Sequence, residues 1–521
     1  MNNVIVCMLD SLQYDYLGCN GNPWIKTPNF DRFAKESVVF DNFYAEGLPT
    51  IPVRRAMHTG CYTLPKKGWS ALDMDDTTIA DLCWGQGIDS AMYFDAAPNR
   101  LPKFGYTRGF DKVYFLHGHE IDHAFYSKDQ LYQYKAEDFN EMHVLEAMDK
   151  KMGCNISEPT LKETDIFLRN RQYWKTERDQ NCSRLMRKAV QYLEEADKNH
   201  PFYLWIDCFD PHEPWDPPSV YDPEMKCPYD PDYKGKDQFL PVMGEVEGVY
   251  TEAELHHVRM LYAEKVTMVD RQFGYLMDEI RRLGLEQDTL VLVVSDHGEP
   301  MGNGEHGHGI MRKCRPWPYE ELVHAVMMLR APGMPAGKRV KSFVQTVDVA
   351  PTVCDWLGLG VHPKMQGKSL LALARGDVDK VRDFAIAGYY QYSWSIITDD
   401  WSYIHWVKPQ NMTQAEAMYE MYDKGTRKSS GHLLNGGVEG SGPKYEKEEK
   451  ATGHTEGFAA IDGADQWTCT PGSIASVPAS DELYDRKNDI RQLHNVIAEH
   501  QGVALNLLQT LTSFIEEISA D

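Results

Sequence analysis

The chain has 521 residues, 42% hydrophobic and 25% charged, with a formal charge of -24 and an isoelectric point near 5.2. Such an acidic balance argues against a general binder of nucleic-acid polymers or anionic membranes, because both reward clustered Lys and Arg. No apolar run approaches the ~18 residues that span a bilayer, so no membrane span is expected.

Length suggests two to four domains of roughly 100–200 residues each. The N-terminus enters the apolar stretch Val4 to Leu9 directly, without a basic segment or a small-residue cleavage site. It therefore reads as a core strand rather than a signal peptide. Thr27-Pro28 supplies a cap and first-turn proline for a helix through Lys35. Val38–Tyr44 reads as a strand leading to a loop at Thr50, and Val53–His58 as a helix that Thr50 opens. Thr77–Gly87 is predicted helical, and Ser90–Phe94 and Phe202–Phe209 as strands. A periodic helix is predicted from about Glu252 to Arg282, with Val258, Leu261, Val266, Val269, Phe273 and Leu276 on its apolar face. Thr289–Val294 is the next buried strand, ending in Ser295-Asp296-His297-Gly298-Glu299.

This alternation of apolar and amphipathic stretches predicts an α/β fold, a large mainly parallel sheet flanked by helices. The catalytic domain is expected over residues 1–380, with an insert at about 106–174. Residues 381–521 change character and predict a C-terminal α+β subdomain with a smaller antiparallel sheet. Its strands are Ala385–Tyr389, Ser395–Thr398 and Trp401–Trp406, with a helix within Ile497–Ile518 and an irregular insert at about 424–480. The 11 cysteines, an odd number scattered through apparent core segments, read as free thiols in a reducing, cytoplasmic setting. A homo-oligomer is left open.

In a parallel α/β sheet, ligands gather at the carboxyl ends of strands. Asp10 follows the first strand and Asp296-His297 a later one. Around them stand Asp10-Ser11-Leu12-Gln13-Tyr14-Asp15, Thr27-Pro28-Asn29-Phe30, Leu48-Pro49-Thr50-Ile51-Pro52-Val53-Arg54, Asp210-Pro211-His212-Glu213-Pro214, Ser295-Asp296-His297-Gly298, Val347-Asp348-Val349-Ala350-Pro351 and Glu482-Leu483-Tyr484-Asp485. In type and order, across nearly the whole chain, these blocks resemble the type I sulfatase family of the alkaline phosphatase superfamily.

The resemblance implies that Asp10, Asp296, His297 and the Thr50 hydroxyl hold one divalent cation. Hard carboxylate oxygens and an imidazole suit Mn²⁺, Zn²⁺, Mg²⁺ or Ca²⁺. Arg54 would hold Thr50 and the bound anion, and His212 would touch the substrate or protonate the leaving group. Lys313 and Arg315 are candidates for the cation that follows the Asp-His segment. His308, with His306, is a candidate for a second metal site or a substrate contact. His117-Gly118-His119-Glu120 lies in the insert and is as compatible with a solvated loop as with function.

Three departures from the family pattern carry information. Thr50 stands where sulfatases carry the Cys or Ser that becomes formylglycine, so no formylglycine is expected. Ser11 replaces a second aspartate, which leans the cation towards Mn²⁺ or Zn²⁺. Asp95 and Ala97 stand where the family carries a sulfate-binding Lys and His, and a carboxylate at Asp95 repels a sulfate monoester unless it binds metal or points away. The expected activity is metal-dependent hydrolysis of a small anionic ester, a phosphodiester or phosphonate monoester, with Thr50 as nucleophile, as in phosphonate monoester hydrolases and threonine-dependent phosphoglycerol transferases. A sulfatase working without formylglycine and a catalytically silent sulfatase-like binding protein remain alternatives.

Overall fold

The computed structural model describes residues 2–100, 104–119, 134–153, 155–171, 174–197, 199–222, 224–302, 307–313, 317–407 and 480–520. Its first strands are β1 (Asn3–Leu9), β2 (Val38–Tyr44), β3 (Asp89–Phe94), β4 (Lys112–Phe115) and β5 (Phe202–Cys208). Then come β6 (Gly244–Glu245), β7 (Thr289–Ser295), β8 (Met301–Gly302), β9 (Ile310–Met311), β10 (Met327–Arg330) and β11 (Lys338–Gln345). Eight of these form one sheet in the order β11-β2-β10-β7-β1-β5-β3-β4, in which only β10 runs antiparallel to its neighbours. Every residue of β1, β5 and β7 is buried, as expected of central parallel strands covered on both faces.

The helices include α1 (Pro28–Glu36), α2 (Thr50–Thr59), α3 (Ile79–Cys83), α4 (Ala97–Arg100), α5 (Met142–Met152), α6 (Ser157–Arg171), α7 (Asn181–Glu195) and α8 (Glu252–Arg282). One apolar cluster joins Ile5, Cys7 and Leu9 of β1 to Phe273 and Leu276 of α8. The opposite face joins Val4, Val6 and Met8 to Val53 and Met57 of α2. Alternate residues of one strand thus feed two cores, the period-2 rule at work. Helix α8 begins at a capping box: the Thr251 side chain accepts from Glu254 N, and Glu254 accepts from Thr251 N at 2.7 Å.

A second sheet pairs β12 (Ala385–Tyr389), β13 (Ser393–Ile397), β14 (Trp401–Trp406) and β15 (Glu482–Asp485) antiparallel, and Gln501–Ala520 forms the terminal helix. Glu482–Asp485, read as a landmark block, is an edge strand of that sheet. The helix expected over Thr77–Gly87 is confined to Ile79–Cys83, with Gly85 and Gly87 in the left-handed region at φ 73° and 71°. Part of the insert at 106–174 is ordered as β4, α5 and α6. The irregular insert expected at 424–480 lies outside the described residues, apart from its last position. Among the described residues, the cysteines are free and no helix is long and apolar enough to cross a membrane.

Candidate active site at the strand tips

Strands β7, β1 and β5 lie side by side, so their carboxyl ends bring Asp296, Asp10 and Asp207 to one end of the sheet. Helix α2 arrives there from β2 with all ten residues buried. It stops at Gly60, whose φ of 71° and N–H to Ala56 O at 2.8 Å close the last turn. A Cβ at Gly60 would meet Met365 Cγ at 2.9 Å, so a side chain there would push against the core as well as strain the backbone.

Arg54, one turn into α2, is completely buried and wholly engaged by carboxylates. Nε and Nη2 donate to the two oxygens of Asp207 at 2.9 and 2.7 Å, Nη2 also to Asp10 Oδ2 at 2.9 Å, and Nη1 to Asp296 Oδ2 at 2.9 Å. Burial works against the cation, but the three aspartates hold the guanidinium well above its ordinary value. Its contact with Thr50 is to the backbone carbonyl at 3.4 Å. Arg54 thus meets Thr50 at its main chain, and fixes the three strand-tip carboxylates and the first turn of α2. Asp207 is inconspicuous in the sequence because it sits inside the apolar run of β5, where a buried acid is itself a sign of a missing counterion.

Thr50 is the first residue of α2 and is 4% exposed. Its Oγ1 lies 3.2 Å from His297 Nε2. His297 Nδ1 donates to Gly298 O at 2.7 Å, which leaves the Nε2 lone pair facing Thr50 and, at 3.5 Å, Asp296 Oδ2. Burial pushes the imidazole down to about 4, so the ring is neutral near pH 7. Asp10, Asp296 and His297 each offer a donor atom within 4.8 Å of the others, all buried. A neutral imidazole oriented by a carbonyl, beside two carboxylates, is a donor set that suits a divalent cation.

Ser11, at the position of the missing second aspartate, holds a left-handed backbone at φ 61°. There its N–H donates to Asp296 Oδ1 at 3.0 Å and its hydroxyl to Asp10 Oδ1 at 2.9 Å. The strain is balanced by Tyr262 of α8, whose hydroxyl donates to Ser11 O at 2.7 Å and accepts from Gln13 N at 2.9 Å.

Lys313 joins this site: Nζ lies 3.5 Å from Ser11 Oγ, 3.6 Å from Glu213 Oε2 and 3.8 Å from Glu299 Oε2. Glu299, which the sequence motifs did not single out, is fully buried, and burial pushes its carboxyl up to about 8. Glu213 is paired with Arg312 and is held low despite its burial. His212 packs on Phe209, ring centroids 3.9 Å apart, with Nδ1 2.6 Å from Glu213 O. Burial pushes this imidazole down to about 3, so His212 rests neutral, with Nε2 as an acceptor.

Two other expected substrate contacts sit elsewhere. Asp95 is fully buried behind the end of β3, with Oδ1 accepting from Phe209 N at 2.7 Å, so it does not face a substrate. The His308 ring stacks on Tyr319 at 3.9 Å, with Nδ1 3.1 Å from Glu321 Oε1 and Nε2 3.0 Å from Gln492 O, and both nitrogens are thereby committed to the second sheet's surroundings. Arg315 and His306 lie outside the described residues.

The sulfatase family model matches residues 2–359. The chain belongs to the sulfatase family. A second model, the C-terminal region of N-sulphoglucosamine sulphohydrolase, matches residues 304–429. The chain is 25% identical over 421 residues to an arylsulfatase of Clostridium perfringens, covering 73% of this chain and 80% of that protein. It is 23% identical over 465 residues to the multifunctional alkaline phosphatase superfamily protein PehA of Trinickia caryophylli, covering 79% and 83%. Its fold matches the phosphonate monoester hydrolase of Agrobacterium radiobacter with a TM-score of 0.65 at 18% identity, covering 99% and 96% of the two chains. Membership makes the protein a hydrolase of ester bonds in the alkaline phosphatase superfamily.

Proposed function

We propose that this sulfatase-family hydrolase uses the unmodified hydroxyl of Thr50 as its nucleophile, on phosphodiesters or phosphonate monoesters. The observation that carries the reading is the placement of Thr50 Oγ1, at the N-terminal end of a buried helix and 3.2 Å from His297 Nε2 of the metal-ligand set. The helix N-terminus favours an anion there. A divalent cation held by Asp10, Asp296 and His297 would lower the pKa of a neighbouring hydroxyl and offset charge on the substrate.

Thr50 Oγ attacks phosphorus, its proton passes to solvent, and the bond from phosphorus to the leaving oxygen breaks. The leaving alkoxide takes its proton from water or from a His212 protonated beforehand. Water then attacks the phospho-threonine, the bond to Oγ breaks, and the hydroxyl is restored. The Nε2 lone pair of His212 is suited to accepting the proton of that water, and the Lys313 ammonium to offsetting the negative charge. The absence of the Lys and His that would bind sulfate, replaced by Asp95 and Ala97, supports phosphorus over sulfur, as does the likeness to a phosphonate monoester hydrolase. A second reading, sulfate ester hydrolysis by the same hydroxyl, is favoured by the arylsulfatase names among the relatives.

A panel of phosphodiesters, phosphonate monoesters and sulfate monoesters, assayed with Mn²⁺ or Zn²⁺ supplied, separates the two. We expect turnover of the phosphorus esters, and a loss in kcat/KM of at least about 10³-fold in Thr50→Ala. Turnover of sulfate esters alone would overturn the substrate class. Equally feeble rates for the wild type and Thr50→Ala would support a silent binding protein instead.

A further inference from the structure

Behind Phe209, one strand away from the Arg54 cluster, lies a second group of buried side chains that the proposed chemistry does not use. Asp95 follows β3, Asp210 follows β5, and His119 comes from the loop after β4. All three are 0% exposed. His119 Nε2 lies 3.6 Å from Asp95 Oδ2 and 3.6 Å from Asp210 Oδ1, and the three donor atoms fall within 4.8 Å of one another.

Those separations are too long for hydrogen bonds, which would draw the atoms to about 2.7–3.2 Å. They match donors around a shared ion, since ligands bound at about 2.0–2.1 Å in a tetrahedron stand about 3.4 Å apart. Each carboxylate is also oriented as a ligand would be. Asp95 Oδ1 accepts from Phe209 N at 2.7 Å and Asp210 Oδ2 from Cys182 N at 3.1 Å, so the opposite oxygens converge on the imidazole. Among the described residues, Asp95 Oδ2 and both ring nitrogens of His119 have no hydrogen-bond partner. Orphaned buried polar atoms that converge on one point ask for an occupant.

From this geometry we infer that Asp95, His119 and Asp210 form a second divalent-cation site, distinct from the one at Asp10, Asp296 and His297. One imidazole nitrogen and two carboxylate oxygens select a first-row ion in the range from Mn²⁺ to Zn²⁺. Lys265 Nζ sits 2.9 Å from Asp210 Oδ1 and 2.6 Å from Asp216 Oδ1, and Arg171 also pairs with Asp216. Lys265 takes one lone pair of Asp210 Oδ1 and leaves the other free. The ion would tie the His119 loop to the tips of β3 and β5 and steady Phe209, on which His212 rests. This site stands or falls independently of Thr50 and its substrate.

The test is metal stoichiometry on the full chain, stripped with chelator, dialysed against Zn²⁺ or Mn²⁺ alone and desalted. Two ions per chain are expected in the wild type, and one each in Asp95→Asn, His119→Gln and Asp10→Asn. Anomalous scattering from wild-type crystals soaked in the same ion reads the site directly, with a peak expected within about 2.3 Å of His119 Nε2. One ion per wild-type chain with His119→Gln unchanged would overturn the inference. So would a wild-type map with no peak among the three residues, whether or not the Asp10 site is filled; that map decides alone if the variants do not fold.

Discussion

Arg54 and His119 each sit between buried carboxylates at the same end of one sheet, and the two neighbourhoods are built in opposite ways. Around Arg54, hydrogen bonds of 2.7–2.9 Å run from the guanidinium to Asp10, Asp207 and Asp296, and the cluster carries its own counterion. Around His119, two carboxylates stop 3.6 Å short of the ring, each braced from behind by a backbone N–H. The first arrangement is held at hydrogen-bond length by the protein's own side chains, two of its carboxylates also standing beside His297. The second is held open at a spacing that only something added can fill. Counting buried charges would not separate them; the length of the contacts does.

The largest effect that would break this contrast is at Arg54. Arg54→Met leaves three buried aspartates without their counterion, and a loss of about 3–5 kcal/mol is expected. Urea unfolding in the presence of chelator measures it, and a change below about 1 kcal/mol would mean that the carboxylates are satisfied by other means.

Next in size is His58, which sharpens the comparison from the side of the imidazoles. Like His119, it is buried with no hydrogen-bond partner for either ring nitrogen among the described residues, but its neighbours are the rings of Trp205, Tyr106 and Phe110. Burial pushes it from 6.5 down to about 4. The folded state therefore prefers the neutral ring. The stability it contributes is fully present above about pH 6.5 and is lost as pH falls through about 4, by up to about 3 kcal/mol. His58→Phe should remove that slope, which unfolding midpoints at pH 7 and pH 4 would show. A slope unchanged by the substitution would mean that the ring is not desolvated.

The smallest effect belongs to an ion pair of the same length in water. Arg32 Nη2 lies 3.0 Å from Asp278 Oδ1, but the side chains are 44% and 61% exposed. Arg32→Ala should cost under about 0.5 kcal/mol. A larger loss would show that contact length outweighs burial here, contrary to the argument for Arg54.

Much of the fold is legible in the sequence. Val4–Leu9 and Thr289–Val294 could only be buried strands, and the acids that end them could be paired with the Thr50 helix through the family resemblance. The boundaries of β12, β14 and α8 follow from the period of their apolar residues. What escapes is charge inside apolar sequence. Asp207 lies in a strand of aromatic residues, and Lys265 lies between Leu261 and Val269, two of the residues that mark the helix's apolar face. Periodicity reports which face is buried, not what a buried charge meets there. His119 escapes for another reason: its loop has no regular pattern, and only the fold brings it to Asp95 and Asp210. For Asp95 the sequence leaves metal binding and pointing away both open; the side chain is turned from the substrate side and towards His119.

Helix α8 gives the molecule an unusual sensitivity to length. Its 31 residues carry Tyr262 against Ser11, Lys265 against Asp210 and Asp216, and Asp270 against the backbone N–H groups of Asn29 and Phe30 at 3.0 and 2.8 Å. Every added residue turns the remainder of the helix by about 100° and slides it about 1.5 Å. Side chains along this rod can be exchanged one at a time. A single insertion between Tyr262 and Asp270 would put the far contacts out of phase with the near ones, so homologous enzymes can be expected to vary this segment by substitution and to absorb their insertions and deletions in the loops beyond its ends.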